Sequence, residues 1–219
     1  MLSTERITLR PLEPQDLEFL YRWENDTTLW QYADTVAPLS QHLLRNYIDN
    51  YDADIFRASQ LRLMIEYRHR DIVDKHGYPR QGQDCGQPTD CGDATDCTIG
   101  MIDIYDLDIR NQRAMIGILI AEKWRGNGYA REAIDLVADY ARDMLGLTQL
   151  AAYVATDNEA SMRLLEAGGC SHDGTLRRWR RVGQRWTDVA VMQRLFYSLV
   201  GISALATIKG LKSLKGPQG

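Results

Sequence analysis

The stretch "EKWRGNGYAREAI", residues 122–134, decides the fold. It crowds Gly126, Asn127 and Gly128 between Arg125 and Arg131, directly ahead of a helical pattern. Gly126 and Gly128 permit positive φ and a close approach of backbone to a ligand. A helix that starts after Gly128 opens with unpaired amide N–H groups and the positive end of its dipole. A strand, a glycine turn and a helix in that order form a ready anion site, with phosphate the usual guest. The turn is not a Walker loop, because no Gly-Lys-Ser/Thr follows. It also lacks the third glycine of the dinucleotide fingerprint, and its strand comes late in the chain. Pyrophosphate is the ligand we read here; the alternative is a turn that binds nothing.

Outward from this turn the pattern is regular. "TIGMIDIYDLD" and "RAMIGILIA" read as two strands joined by "IRNQ". A helix runs from about Tyr129 to Leu145, with Ala133, Ile134, Val137, Ala138, Ala141 and Leu145 on one face. "QLAAYVATD" is another strand, and Asn158 can cap a helix "EASMRLLEAG" that ends at Gly168 and Gly169. "GTLRRWRRVGQRWTDVAVMQRLF" reads as a closing hairpin turning near 182–184. Toward the N-terminus, "RITLRPLE" is a first strand, and Pro14 and Asp16 open a helix with Leu17, Leu20 and Tyr21 at helical spacing. Ser40 can cap a second helix carrying Leu43, Leu44, Tyr47 and Ile48 on one face. "QLRLMIEYR" alternates as a strand.

The order β-α-α-β-β-β-α-β-α-β-β implies an α/β (α+β mixed) fold, a mixed, mostly antiparallel twisted sheet with helices on both faces. The segment around Arg125 is expected to form a right-handed parallel crossover. Residues 71–96 break the pattern with the near-duplicates CGQPTD and CGDATD, read as a loop or disordered insertion. The domain is expected over 1–196, with a basic and apolar tail over 197–219.

The chain has 219 residues, 44% apolar and 26% charged, as expected of one globular domain. Net charge is −4, and the last 23 residues hold Lys209, Lys212 and Lys215 without an acid, so the body stands at −7. An acidic body argues against a nucleic-acid surface and suits a cationic substrate. No apolar run approaches the roughly 20 residues of a membrane span. "MLSTERITLRPLE" has no signal-peptide core. A cytoplasmic protein with no nucleic-acid or membrane partner is the expectation, with Cys85, Cys91, Cys97 and Cys170 as free thiols.

Arg125-x-x-Gly128-x-Ala130 resembles the acyl-CoA pyrophosphate loop of the GNAT superfamily of N-acyltransferases, (Q/R)-x-x-G-x-(G/A). "ITLRPLEPQDLEFLYRW", "IGILIAEKWRGNGYAREAI" and "VATDNEASMRLLEAGG" resemble that family's segments in order and spacing. The closing hairpin resembles the subgroup of spermidine acetyltransferases and ribosomal-protein N-terminal acetyltransferases. The resemblance covers residues 5–196 except 71–96. It implies an acyl-CoA N-acyltransferase fold, acetyl-CoA as donor and a primary amine as acceptor. Backbone amides of Arg125, Gly126, Asn127, Gly128, Tyr129 and Ala130 would cradle the pyrophosphate. Leu119 and Ile120, ending the fourth strand, would pair with the pantetheine amides. Asn158 would bond the donor, with Ser161 one turn on; a plain helix cap is the other reading of Asn158. A homodimer is implied by analogy alone.

Direct transfer requires a neutral amine. A lysine-like ammonium near pKa 10.4 loses its proton at pH 7 at a cost of about 4–5 kcal/mol, whereas a peptide N-terminus costs about 1. A polyamine enzyme therefore has more need of a carboxylate or water relay. Asp103, in the apolar strand "GMIDIYDL", is the first candidate base; facing solvent or pairing with an arginine is its alternative. Glu24 and Asp34 could bind a cationic amine on the acceptor wall, or belong to a solvated face. Many family members carry a Tyr acid in an L-Y-E stretch; here the sequence is Leu164-Leu165-Glu166. That acid cannot be carried over, and Tyr153 is a reserve, with core packing as its alternative. A thiol near pKa 8.5 is a tolerable leaving group without one. Cys170, after Gly169, reads as filler for a missing Phe.

Cys85, Cys91 and Cys97 lie six apart, which is not zinc-pair spacing, so no metal is expected even with His76 and Cys170. Arg177, Arg178, Arg180, Arg181 and Arg185 cluster on the hairpin and could meet the donor's 3′-phosphate or a dimer partner, or simply be solvated. Ile202, Leu205, Ile208 and Leu211 in the tail read as a docking face or a frayed end. The leading reading is acetylation of a polyamine or similar small amine. N-terminal acetylation of a protein, an aminoglycoside acceptor, and a catalytically idle acyl-CoA-binding module stay open beside it.

Overall fold

The computed structural model describes residues 2–33, 35–68 and 97–196. Strand β1 (Ile7–Pro11) leads through a 3-10 turn (Pro14–Asp16) into helices α1 (Leu17–Glu24), α2 (Thr27–Trp30), α3 (Gln41–Asp49) and α4 (Ile55–Ala58). Strands β2 (Gln60–Tyr67), β3 (Thr98–Asp108) and β4 (Arg113–Ile120) follow. Helix α5 (Tyr129–Asp143), strand β5 (Gln149–Ala155), helix α6 (Glu159–Ala167) and strands β6 (Ser171–Val182) and β7 (Arg185–Leu195) complete the chain. The strands form one seven-stranded sheet in the order β1-β2-β3-β4-β5-β7-β6. Only β4 and β5 run parallel, so the sheet is mostly antiparallel.

Both faces are covered, because the strands alternate apolar residues to either side. Ile102, Ile104, Ile116, Leu150, Ala152 and Val154 meet Ala133, Ile134, Val137, Ala138 and Ala141 of α5 and Leu165 of α6. Met64 and Met101 point the other way, against Leu20 and Trp23 of α1 and Leu44 and Ile48 of α3. Two faces differ from expectation. On α1, Trp23 is buried where Tyr21 was expected, and on α3 Leu43 is exposed beside buried Leu44 and Ile48. In both helices the residues a turn apart from the core contacts, Leu20 to Trp23 and Leu44 to Ile48, define the stripe.

The caps follow the sequence closely. Ser40 accepts from the Leu43 amide and Asn158 from the Ser161 amide, each at 3.1 Å. Asp26 and Asp54 cap α2 and α4, which were not expected. Four residues are too few for helical periodicity to register. Asp16 is buried and closes a capping box at the 3-10 turn, accepting from the Glu13 amide at 2.9 Å while Arg10 holds it with two bonds at 2.7 and 2.8 Å.

One feature of the sheet shapes the site. Strands β4 and β5 pair only through Arg113–Gln149, Ala114–Leu150 and Met115–Ala151. Strand β5 instead stays with β7 along its whole length, from Gln149–Leu195 to Ala155–Val189. Beyond Met115 the β5-facing edge of β4 is therefore left without a strand partner among the described residues. The gap opens toward the carboxyl ends of the two parallel strands, where ligands of such sheets bind.

Candidate active site

The glycine turn sits at the carboxyl end of β4. Gly126 and Gly128 both adopt left-handed φ, +80° and +85°. At Gly128 the requirement is twofold, because an added Cβ would also lie 3.2 Å from Arg6 Nη2. The Arg125 amide is used within the turn, donating to Glu122. The next five amides, from Gly126 to Ala130, find no acceptor among the described residues. The first intrahelical donors are Arg131 and Glu132, both to the Gly128 carbonyl. A run of free N–H groups at the positive end of a fifteen-residue helix is an anion cradle.

Neighbouring side chains hold the cradle in shape. Arg125 Nε donates to the Ile120 carbonyl at 2.9 Å, folding the turn onto β4. Asn127 Nδ2 donates to the carbonyls of Trp124 and Arg125 at 3.2 and 3.1 Å. Arg6 of the segment before β1 donates to the Asn127 carbonyl at 3.0 Å and pairs with Glu132. Glu132 also accepts from Thr4 Oγ1 at 2.6 Å. Thr4 and Arg6 were not singled out from the sequence, since their partners lie more than 120 residues away.

A cavity of about 200 Å³ lies on the α1 side of the sheet, against the same stretch of β4. Its walls are Trp23, Leu29, Trp30, Met101, Ile118 and Leu119, with Gly117 at its floor. Three charged side chains enter it: Glu24, Arg62 and Asp103. Asp103 stands opposite Gly117 of β4 and opposite Arg62 of β2 in the ladder. Arg62 Nε and Nη2 each meet one Asp103 oxygen at 2.8 Å, and Nη1 reaches Glu24 at 3.2 Å. Burial lowers the Arg62 pKa and its carboxylate partners raise it; the pairing prevails, so it stays charged.

Asp103 and Glu24 thus line one cavity and share Arg62; the pairing with an arginine that stood as Asp103's alternative is what the structure shows, though which arginine the sequence did not reveal. The spacing gave no sign of it, because Arg62 occupies a polar position of an alternating strand and reads as solvent-facing. Asp34 lies outside the described residues. Leu119 lines the cavity; Ile120 is buried, its carbonyl taken by Arg125. Asn158 acts as a helix cap through Oδ1, which leaves its side-chain NH₂ without an acceptor among the described residues. Tyr153 points away from the α5 core, is 49% exposed, and is not part of the cavity wall.

Leu165 is buried in the main core, and Cys170 beside it is buried as well. Burial pushes the Cys170 thiol up, which suits packing and not reactivity. On the hairpin, Arg178 and Arg181 stack on Trp186 and Arg185 pairs with Asp157. Among the described residues no three His, Cys, Asp or Glu side chains converge as metal ligands. His76, Cys85 and Cys91 lie outside the described residues, as do the insertion over 71–96 and the tail over 197–219.

Residues 6–171 match the family described as an acetyltransferase (GNAT) domain. The chain is 31% identical over 182 residues to the uncharacterized N-acetyltransferase YoaA of Bacillus subtilis (strain 168), covering 82% of this chain and 87% of that one. It is 24% identical over 181 residues to the spermidine N(1)-acetyltransferase of Escherichia coli (strain K12), covering 80% and 78%. The spermidine N-acetyltransferase of Vibrio cholerae, solved in complex with CoA and spermine, superposes with a TM-score of 0.68 at 23% identity, covering 88% and 97%. That last likeness is one of fold. The chain belongs to the GNAT acetyltransferase family. It is an N-acetyltransferase.

Proposed function

We propose that this enzyme transfers the acetyl group of acetyl-CoA to the primary amine of a polyamine or similar small molecule, by direct attack within a ternary complex. The observation that carries the reading is that the cradle follows directly from the same end of β4, Gly117 to Leu119, that lines the cavity. The free amides of Gly126 to Ala130 would take the pyrophosphate. The unpartnered edge of β4, at Leu119 and Ile120, would receive the pantetheine as an added strand. Asn158, past the end of β5, offers its free NH₂ to the donor from the other side of the gap, with Ser161 following it.

The thioester carbonyl then lies beside Gly117 and Ile118, and the amine approaches from the cavity. Glu24 and Asp103 give that cavity its negative character, which suits an ammonium. Asp103 takes the amine's proton through a water. Each of its oxygens spends one lone pair on Arg62 and keeps another. Bond formation between the neutral nitrogen and the carbonyl carbon gives a tetrahedral oxyanion, stabilised by β4 backbone N–H groups. Collapse expels the CoA thiolate, and the second proton, shed by the nitrogen as the amide forms, passes through water to that thiolate without a dedicated acid. Tyr153 stands on β5 as a reserve for that proton. The protein works in the cytoplasm, and a homodimer is the assembly we expect.

The test is initial-rate thiol release from acetyl-CoA over a panel of putrescine, spermidine, spermine and peptides starting with Ala and Ser. Turnover on one or more of the free amines supports the reading. Turnover on peptides alone would replace it with N-terminal acetylation of proteins.

A further inference from the structure

Arg62 is anchored on every side. Its backbone N–H donates to the Tyr51 hydroxyl at 2.5 Å, its guanidinium stacks over Tyr47 at 5.6 Å, and its head holds Asp103 and Glu24. Its side chain is only 13% exposed, so it does not swing out to solvent as a surface arginine would. Among the described wall residues the charges are Glu24, Asp103 and Arg62, a net of −1. The rest of the wall, Trp23, Leu29, Trp30 and Met101, suits methylenes and carries no charge.

We propose that Arg62 is a specificity-determining residue: by cancelling one of the two cavity carboxylates it fits the site to amines with one positive charge besides the reacting nitrogen, ahead of amines with two or three. The inference rests on the amine-acetyltransferase reading above. A second or third ammonium entering the cavity meets a guanidinium where an unmodified pair of carboxylates would attract it. At the distances of this cluster and the dielectric of a partly buried site, one unit of wall charge shifts the preference between two acceptors by about tenfold.

The experiment compares kcat/KM for a monoamine, a diamine and a triamine of matched methylene spacing, at saturating acetyl-CoA. The proteins are wild type, Arg62→Gln, Arg62→Lys and Glu24→Gln, with thermal melts confirming the fold and calorimetry reading amine binding beside turnover. The triamine-to-diamine ratio is expected to rise about tenfold in Arg62→Gln and to fall about tenfold in Glu24→Gln, with the monoamine as the uncharged reference. Arg62→Lys, which keeps the charge, stays near the wild-type ratio. A merely structural role for Arg62 would lower all three acceptors together and leave the ratio alone. If Arg62→Gln does not fold, Glu24→Gln carries the test, because it leaves the Arg62–Asp103 pair intact. Amine turnover with a ratio unchanged in the folded variants overturns the role of Arg62 alone. Neither binding nor turnover of any amine overturns the amine reading and this inference with it.

Discussion

Asp103 and Arg62 face each other across β3 and β2, joined by two hydrogen bonds of 2.8 Å, one to each carboxylate oxygen. Neither side chain is more than 16% exposed, so the pair is held in a poorly solvated place on the cavity wall. Removing one partner there strands the other charge, a larger loss than breaking a surface pair. Asp103→Ala is expected to destabilise the fold by about 3 kcal/mol, because Arg62 keeps only Glu24. Asp103→Asn keeps the shape, and its kcat should fall by about a hundredfold while affinity for CoA is unchanged. Urea melts, thiol release and a CoA titration separate the three effects.

The glycine turn makes a second prediction by contrast. Gly126→Ala meets nothing within 4 Å among the described residues but forces a side chain into left-handed backbone. Gly128→Ala has that strain and a contact with Arg6 as well. Each should cost about 1–2 kcal/mol of stability. Gly128→Ala should in addition weaken CoA binding by about tenfold or more, since it moves the cradle's own amides. Calorimetric titration with CoA, beside thermal melts of both variants, checks the difference.

Leu165 occupies the position where many family members carry a tyrosine acid, and it is buried in the core between α6 and the sheet. Leu165→Tyr is therefore expected to overpack that core by about 1–3 kcal/mol and to bring no gain in kcat. A rise in kcat with an unchanged melting temperature would show that the position opens to the thiolate after all.

The Tyr47 hydroxyl is buried without a hydrogen-bond partner among the described residues, and burial pushes its pKa up to about 12. An unmade bond to a buried donor is a cost, so Tyr47→Phe should be neutral or stabilising by up to about 1 kcal/mol at pH 7. The sign of the alkaline effect follows from linkage. In the unfolded chain the phenol titrates near 10, so between pH 10 and 12 the unfolded state loses its proton first. Stability from this group is complete below pH 10 and declines as pH rises toward 12. Urea melts across pH 8 to 11 should show a gentler alkaline decline for Tyr47→Phe than for wild type.

Much of this was readable from the chain, and for local reasons. The Gly126–Gly128 turn, the Ser40 and Asn158 caps and the β6–β7 hairpin each depend on residues within a few positions, and their signals survive in one dimension. The parallel contact of β4 with β5 followed from strand–helix–strand order; its early end at Met115 did not, because β7 draws β5 away from a place far along the chain. Asp103 was singled out as an acid in an apolar strand and Glu24 through the family resemblance, and the structure brings both to the wall of one cavity. Arg62 was not singled out, because the register that sets it opposite Asp103 is a tertiary fact 41 residues wide. Arg6 escaped for the same reason.

Direct transfer is the center of the account, and a single turnover tests it. Enzyme in excess over acetyl-labelled acetyl-CoA is mixed with a diamine, quenched over milliseconds to seconds, and the label is located. The account predicts that label passes straight from CoA to the amine, with no labelled protein at any time; among the described residues the two cysteines, Cys97 and Cys170, are both buried. Label appearing on the protein before it appears on the amine would contradict it.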